Sequence, residues 1–278
     1  MHGEPAILLA AFGSLEPSAF ATYEKIKRSY KKEYPGSEVR VAFTSDFIRR
    51  RLKDVNISIQ NPLIALAELQ DQGFSDIVVQ PLQIVPGKEF QEIASLVQSL
   101  KGIRGRLGFH RLALGMPLLT SFDDCKKTSA SLKPIFEEMD KRNREKDLRR
   151  TATIFVGHGT DHPADSLNSQ IALILESSYK NVLLGTLEGY PTLGDLLSRL
   201  KEDNIKKVVM APFLLVAGGH MLDDIAGGGQ SSWRTILERE GIEVEVRFRG
   251  LGDEEGIIKL FLEHTSDAMK KDFIQERL

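Results

Sequence analysis

Short apolar runs alternate along the chain with longer amphipathic stretches. In the first half "AILLAAF", "EVRVAF", "DIVVQPLQIV" and "RLGFHRLAL" read as strands with helical patterns between them, and the second half repeats the scheme with "TATIFVG", "NVLLGTL", "KKVVMAPFLLV" and "EVEVRF". Strand and helix in regular alternation predict βαβ units and parallel sheets. Between the halves lies a charged helical stretch, Asp123 to Arg150, containing "EEMDKRNREKDLRR". The expected organisation is an N-terminal α/β domain over residues 1–122, a connecting helix over 123–150 and a C-terminal α/β domain over 151–278.

The halves also match in detail. "LAELQDQGFSDIVVQPLQIVPGKEFQEI" (Leu66 to Ile93) lies over "LLSRLKEDNIKKVVMAPFLLVAGGHMLDDI" (Leu196 to Ile225) as helix, turn, strand, proline, apolar run, glycine and helix. "AILLAAFGS" lies over "ATIFVGHGT", with Phe12 opposite Gly157 or His158. The economical reading is two similar flavodoxin-like α/β domains facing each other. Ligands in such sheets bind outside the carboxyl ends of the strands, so the site is expected in the cleft between domains, among strand-end loops.

Composition narrows the class. Of the 278 residues, 41% are hydrophobic and 27% charged, enough to bury a sizeable core. Lys and Arg number 37 against 39 Asp and Glu, a net charge of −2, and no basic tail interleaves with aromatics, so nucleic acid is not an expected partner. The single cysteine, Cys125, rules out an internal disulfide or zinc cluster, fits a reducing compartment and reads as a helix-face thiol. No stretch approaches the roughly 20 apolar residues that span a bilayer. The first strand-like run, Ala6 to Phe12, starts too early for a signal peptide, so no membrane partner and a cytoplasmic location are expected.

Three strand ends in the second half each deliver a polar group: His158 in "VGHGT", Glu188 in "GTLEGYP" and His220 in "VAGGHMLDD". Glycine permits positive φ and close backbone approach, which lets an imidazole stand clear at a site's edge. Two neutral imidazoles and a carboxylate suit a borderline divalent ion such as Co²⁺, Ni²⁺, Fe²⁺ or Zn²⁺. Against this, a Gly-flanked histidine after a strand is also a common loop or capping residue.

Other residues have plainer readings. His162 sits where a helix should begin, ahead of Pro163, and suits a cap as well as a function. His2, His110 and His264 have no setting that suggests chemistry. Asp223 and Asp224 fall in an expected first helical turn, where carboxylates complement the dipole. "AGGGQSSW" lacks the Lys and Ser/Thr of a phosphate loop, and no G-x-S-x-G elbow is present, so nucleotide binding and serine hydrolysis are not supported. Lys88 and Glu89 in "VPGKEF" occupy the strand end matching His220, as a helix-start pair or as site residues. Arg49, Arg50 and Arg51 read as a solvated helix face from which one arginine could reach an anion.

"FVGHGTDHPA", "GTLEGYPTL" and "PFLLVAGGHMLDDIAG", with "AFTS" and "ALAELQDQGFSDIVVQPLQIVPGKEF" earlier, resemble the CbiK-type anaerobic cobalt chelatases of cobalamin biosynthesis, in the class II chelatase superfamily, from about Ile7 to Met269. The resemblance implies insertion of Co²⁺, as substrate metal, into sirohydrochlorin in a cleft between two α/β domains. It implies that His158, Glu188 and His220 bind the metal, and that Glu89 corresponds to the family's first-domain acidic residue, acting with His158 and His220 in catalysis. Phe12, Gly13, Ser14 and Lys88 are then assigned to the macrocycle. Glu188 or Glu89 balances charge or relays protons. Fe²⁺, Ni²⁺ or Zn²⁺ are alternative metals, no nucleotide is expected, and a homo-oligomer is. The rival from another class is a non-catalytic tetrapyrrole or metal carrier.

Overall fold

A computed structural model describes residues 4–143, 150–219 and 221–271. Strands β1 (Ala6–Ala11), β2 (Val39–Phe43), β3 (Asp76–Pro81) and β4 (Arg111–Leu114) form one sheet in the order β2-β1-β3-β4. Strands β5 (Thr151–Gly157), β6 (Val182–Thr186), β7 (Lys207–Pro212) and β8 (Glu243–Val246) form a second in the order β6-β5-β7-β8. Every pairing is parallel. The central strands are buried along nearly their whole length, which is why they read as continuous apolar runs rather than as alternating ones. The fold is thus two similar α/β units with flavodoxin-like strand order.

Helices α1 (Pro17–Glu33), α2 (Asp46–Asp54), α3 (Pro62–Asp71) and α4 (Lys88–Lys101) cross over within the first half. Helices α6 (Ser166–Ser178), α7 (Leu193–Glu202) and α8 (Trp233–Arg239) do so in the second. Their starts are written locally. Asn61 Oδ1 accepts from Ile64 N–H at 2.8 Å to begin α3, and Thr192 and Asp195 form a reciprocal capping box on α7. One core packs Leu8, Ala42, Leu66, Leu69, Val79, Ile93 and Val97. The other packs Ile154, Val156, Leu196, Met210, Trp233 and Leu237.

The two remaining helices depart from the expected boundaries. Compact unit one takes Met1–Thr120 together with Ile258–Leu278, and unit two takes Ser121–Ile257. Helix α5 (Phe122–Asn143), expected as a connector, belongs to the second unit and packs on α6. There Phe136 meets Tyr179 at 4.6 Å between ring centroids, and the Cys125 thiol reaches Gln170 Oε1 at 3.4 Å. Helix α9 (Glu255–Lys270), expected with the C-terminal domain, belongs from Ile258 onward to the first unit. The Tyr30 hydroxyl meets Thr265 Oγ1 at 2.9 Å, and Thr265 donates to Gln80 Oε1 at 2.9 Å. Gln80 Nε2 in turn donates to the carbonyls of Pro81 and Met116. That chain of partners accounts for a fully buried glutamine in the middle of an apolar strand. An amphipathic pattern identifies a helix and its apolar face, but not which core that face covers.

Two smaller departures occur. "RLGFHRLAL" yields only the four residues of β4, after a 3₁₀ turn at Gly105–Leu107. After β7 the expected helix is a five-residue π turn, Met221–Ile225.

Candidate active site

In a 2-1-3-4 parallel sheet the crossovers leave in opposite directions from the first and third strands, and a crevice opens at that switch point outside the carboxyl ends. In the second unit those strands are β5 and β7. His158 directly follows β5, and the loop toward His220 follows β7. His220 itself lies outside the described residues.

The parallel pairing continues past the ends of β5 and β6. Leu187 N–H donates to the Gly157 carbonyl at 3.0 Å, and Glu188 N–H to the His158 carbonyl at 2.8 Å. The two loops can lie this close because of their glycines. Gly159 has φ +80°, and a Cβ there would stand 2.5 Å from Gly189 N; one on Gly189 would stand 2.3 Å from Asp165 Oδ1. Asp165 locks the arrangement. Its carboxylate accepts from Thr160 N–H at 3.1 Å, Asn168 Nδ2 at 2.9 Å and Tyr190 N–H at 2.9 Å, so one side chain holds both loops to α6. Nothing in the sequence reading singled out Asp165. Its signal was its place between Pro163 and Asn168 at a helix start.

The side chains follow the backbone. His158 Nδ1 lies 3.7 Å from Glu188 Oε2, with the histidine 39% and the glutamate 65% exposed. Nδ1 also lies 3.1 Å from the Gly159 carbonyl, which can only accept, so in the neutral ring Nδ1 carries the proton and Nε2 the lone pair. This is the usual posture of a ligating histidine, whose second nitrogen is fixed by a backbone carbonyl or carboxylate. Among the described residues no group of three or more His, Cys, Asp or Glu side chains converges. The metal set read from the sequence is represented here by its His158–Glu188 pair.

The first unit repeats the plan. Ala10 pairs with Pro81 as Val156 pairs with Pro212, which places Phe12 opposite His158 and resolves the alignment left open above. Gly13 (φ +103°) then matches Gly159. A Cβ on Gly13 would stand 2.7 Å from the Phe43 ring, so the turn rests directly on that aromatic. Phe12 is exposed, whereas Ser14 is buried and its Oγ accepts from Glu16 N–H at 3.1 Å. Lys88 is exposed and Glu89 half-buried in the first turn of α4. Burial pushes the Glu89 carboxyl above its ordinary range; the Gln83 amide works against this and the Glu92 charge adds to it. Gln83 influences Glu89, yet its shielded amide atoms reach no hydrogen-bonding geometry among the described residues. Burial also raises the Tyr23 phenol, opposed by the Gly13 N–H and reinforced by Glu89, so Tyr23 stays protonated beside them.

Other sequence candidates resolve into structural roles. His162 Nδ1 accepts from Ala164 N–H at 3.1 Å and caps the 3₁₀ turn Pro163–Asp165. Arg49 and Arg50 pair with Asp46, and Arg51 lies over the Phe47 ring. The Gly-rich loop ends in Ser232, whose hydroxyl donates to the Gly227 carbonyl at 2.6 Å and caps α8. Asp223 and Asp224 are exposed in the π turn, and His110 is exposed. His264 is buried, with Nδ1 3.1 Å from the Met116 carbonyl. Burial raises the Cys125 thiol to about 11, so it is not an activated nucleophile. Among the described residues no helix is long and apolar enough to cross a membrane.

Comparison with known proteins shows the family and the fold. A family model described as cobalt chelatase (CbiK) matches residues 5–270. Sirohydrochlorin cobaltochelatase CbiKC of Nitratidesulfovibrio vulgaris is 32% identical over 263 residues, covering 95% of this chain and 90% of the relative. The sirohydrochlorin cobaltochelatase of Salmonella typhimurium is 31% identical over 270 residues, covering 95% and 96%. In fold the chain is similar to SirB from Bacillus subtilis, solved with Fe³⁺, at a TM-score of 0.63 and 17% identity over 95% of each chain. The chain belongs to the CbiK family of cobalt chelatases.

Proposed function

We propose that this chain is a sirohydrochlorin cobaltochelatase, inserting Co²⁺ into the free-base macrocycle. The observation that carries the reading is the His158–Glu188 pair, fixed by backbone hydrogen bonds at the carboxyl end of a parallel sheet beside its switch point. The names and near-full coverage of the relatives at 31% and 32% identity support the same substrate and metal.

The chemistry sets three demands: partial stripping of water from the ion, removal of two pyrrole N–H protons, and an ordered path for the ion into the ring. His158 Nε2 presents a lone pair to the incoming ion, with Glu188 alongside to balance its charge. His220, after β7, completes the proposed ligand set. Such a site must hold the metal firmly enough to dehydrate it and loosely enough to release it. Imidazole and an exposed carboxylate meet that requirement better than thiolates would.

Glu89 is proposed as a proton acceptor. Its raised carboxyl is more basic than an ordinary glutamate and so better matched to a proton from a metallating ring. Phe12 offers an exposed apolar face and Lys88 a cation for the macrocycle's carboxylates. Gly13 gives the turn its close approach, whereas Ser14 shapes the turn from below.

The test is an anaerobic assay of purified protein with metal-free sirohydrochlorin and Co²⁺, followed by macrocycle absorption, with Fe²⁺, Ni²⁺ and Zn²⁺ in parallel. The expected result is many turnovers per subunit, fastest with Co²⁺. Binding of one macrocycle without turnover identifies a carrier instead, and a higher kcat/KM for another metal reassigns the substrate ion.

A further inference from the structure

We infer that Phe248 and Arg249 form a subsite that reads the macrocycle's face and one of its carboxylate arms; the inference rests on the chelatase reading above. Strand β8 pairs with β7 in register, Met210 opposite Val246, and Arg247 N–H extends the pairing by donating to the Met210 carbonyl at 2.9 Å. The next residues therefore leave the sheet at the same carboxyl end as His158 and Glu188. In the order β6-β5-β7-β8 they stand two strands from His158, about 10 Å along the sheet. That is the reach from the centre of a tetrapyrrole toward its rim.

The segment is held rigidly from below. The Arg247 guanidinium pairs with Glu254 at 2.7 Å and donates to the Arg249 carbonyl at 3.3 Å. Leu251 N–H donates to the Leu214 carbonyl and Gly252 N–H to the Leu215 carbonyl, each at 2.8 Å. A Cβ on Gly250 would stand 2.5 Å from the Leu215 carbonyl oxygen, so only glycine permits this contact with the loop after β7. On this base stand two side chains with no structural task. Phe248 is 55% exposed, and the Arg249 guanidinium has no hydrogen bond or ion pair among the described residues. An exposed aromatic beside an unneutralised arginine is the pairing that recognises a flat, apolar, carboxylate-bearing ring: the ring face stacks and the planar guanidinium takes a carboxylate bidentately. Fixing the backbone beforehand reduces the ordering cost of binding.

The experiment titrates metal-free sirohydrochlorin into the full chain without metal, by absorption, and measures Co²⁺ insertion on the same samples. Arg249→Gln should raise Kd and KM about tenfold, the usual loss for a charge-assisted hydrogen bond, with kcat within about twofold of wild type. Arg249→Lys should fall between them. Against the macrocycle with its carboxylates methyl-esterified, wild type and Arg249→Gln should bind alike, while Phe248→Ala weakens binding of both acid and ester. Wild type that binds sirohydrochlorin with no better affinity than Arg249→Gln overturns the subsite alone. Wild type that binds no tetrapyrrole overturns the chelatase reading and the subsite with it.

Discussion

The backbone N–H of Glu188 donates to the carbonyl of His158 at 2.8 Å, and the same two residues bring a carboxylate oxygen to 3.7 Å from the imidazole Nδ1. The pair is set by the sheet rather than by its own side chains. Neighbouring strands deliver the two residues at the same height, and continuation of the ladder past the strand ends fixes their separation. Such prearrangement lowers the cost of assembling the proposed metal site.

Asp165 should govern this prearrangement without touching metal. Asp165→Ala removes the acceptor for Thr160 N–H and Tyr190 N–H, one on each of the loops that carry His158 and Glu188. The expected loss is about 1–3 kcal/mol of stability. Insertion activity of the folded protein should fall tenfold or more, with weaker metal binding. Thermal unfolding together with metal titration checks this; a variant that loses stability but keeps wild-type metal affinity would separate the loop clamp from the site.

Glu89 should leave a signature in stability against pH. Its carboxyl is raised by burial, so the folded state favours the neutral form. Its contribution is fully present below the unfolded value of about 4.5 and is lost as pH rises through the raised folded value. Glu89→Gln removes that penalty. Relative to wild type, its Tm should therefore climb as pH is raised across that window, while insertion activity drops. Parallel Tm curves for the two proteins from pH 4 to 8 would contradict the burial account.

His264 is buried to a degree that its sequence setting does not reveal. Nothing around it in the sequence suggests chemistry, and in the structure it is only 8% exposed and reaches the Met116 carbonyl at 3.1 Å. His264→Ala should cost about 1–3 kcal/mol through a cavity and the loss of the hydrogen bond to the Met116 carbonyl. It should leave kcat/KM per folded molecule near wild type. Denaturant unfolding beside the insertion assay checks both parts; unchanged stability would mean that α9 is held by its other contacts.

What the sequence made legible was local. Alternating runs gave the sheets, the repeat gave two similar units, and Gly-flanked strand ends gave His158 and Glu188 as neighbours. The runs and the strand ends depend on residues within one βαβ unit, and the repeat needs only a comparison of the two halves. The destinations of α5 and α9 were not legible, because a helix's periodicity marks its apolar face and leaves open which sheet it covers. Gln80 reads as an anomaly until Tyr30, Met116 and Thr265 are seen around it. Asp165 and the Phe248–Arg249 tip escaped for a related reason: Asp165 also reaches Tyr190 on the loop after β6, and the backbone that follows the tip is anchored on the loop after β7.

The most direct test of the central claim is a double-mutant cycle on Co²⁺ insertion with His158→Ala, Glu188→Gln and the double variant, repeated with His220→Ala in place of Glu188→Gln. Ligands of one ion act as a unit, since losing either leaves an incomplete shell and the second loss then removes little more. Each histidine variant should lose about a hundredfold or more in kcat/KM, Glu188→Gln about tenfold or more, and each double variant should be nearly as active as its worse single parent. Losses that multiply, or a His158→Ala protein inserting Co²⁺ at close to the wild-type rate, would contradict a shared metal site at the ends of β5, β6 and β7.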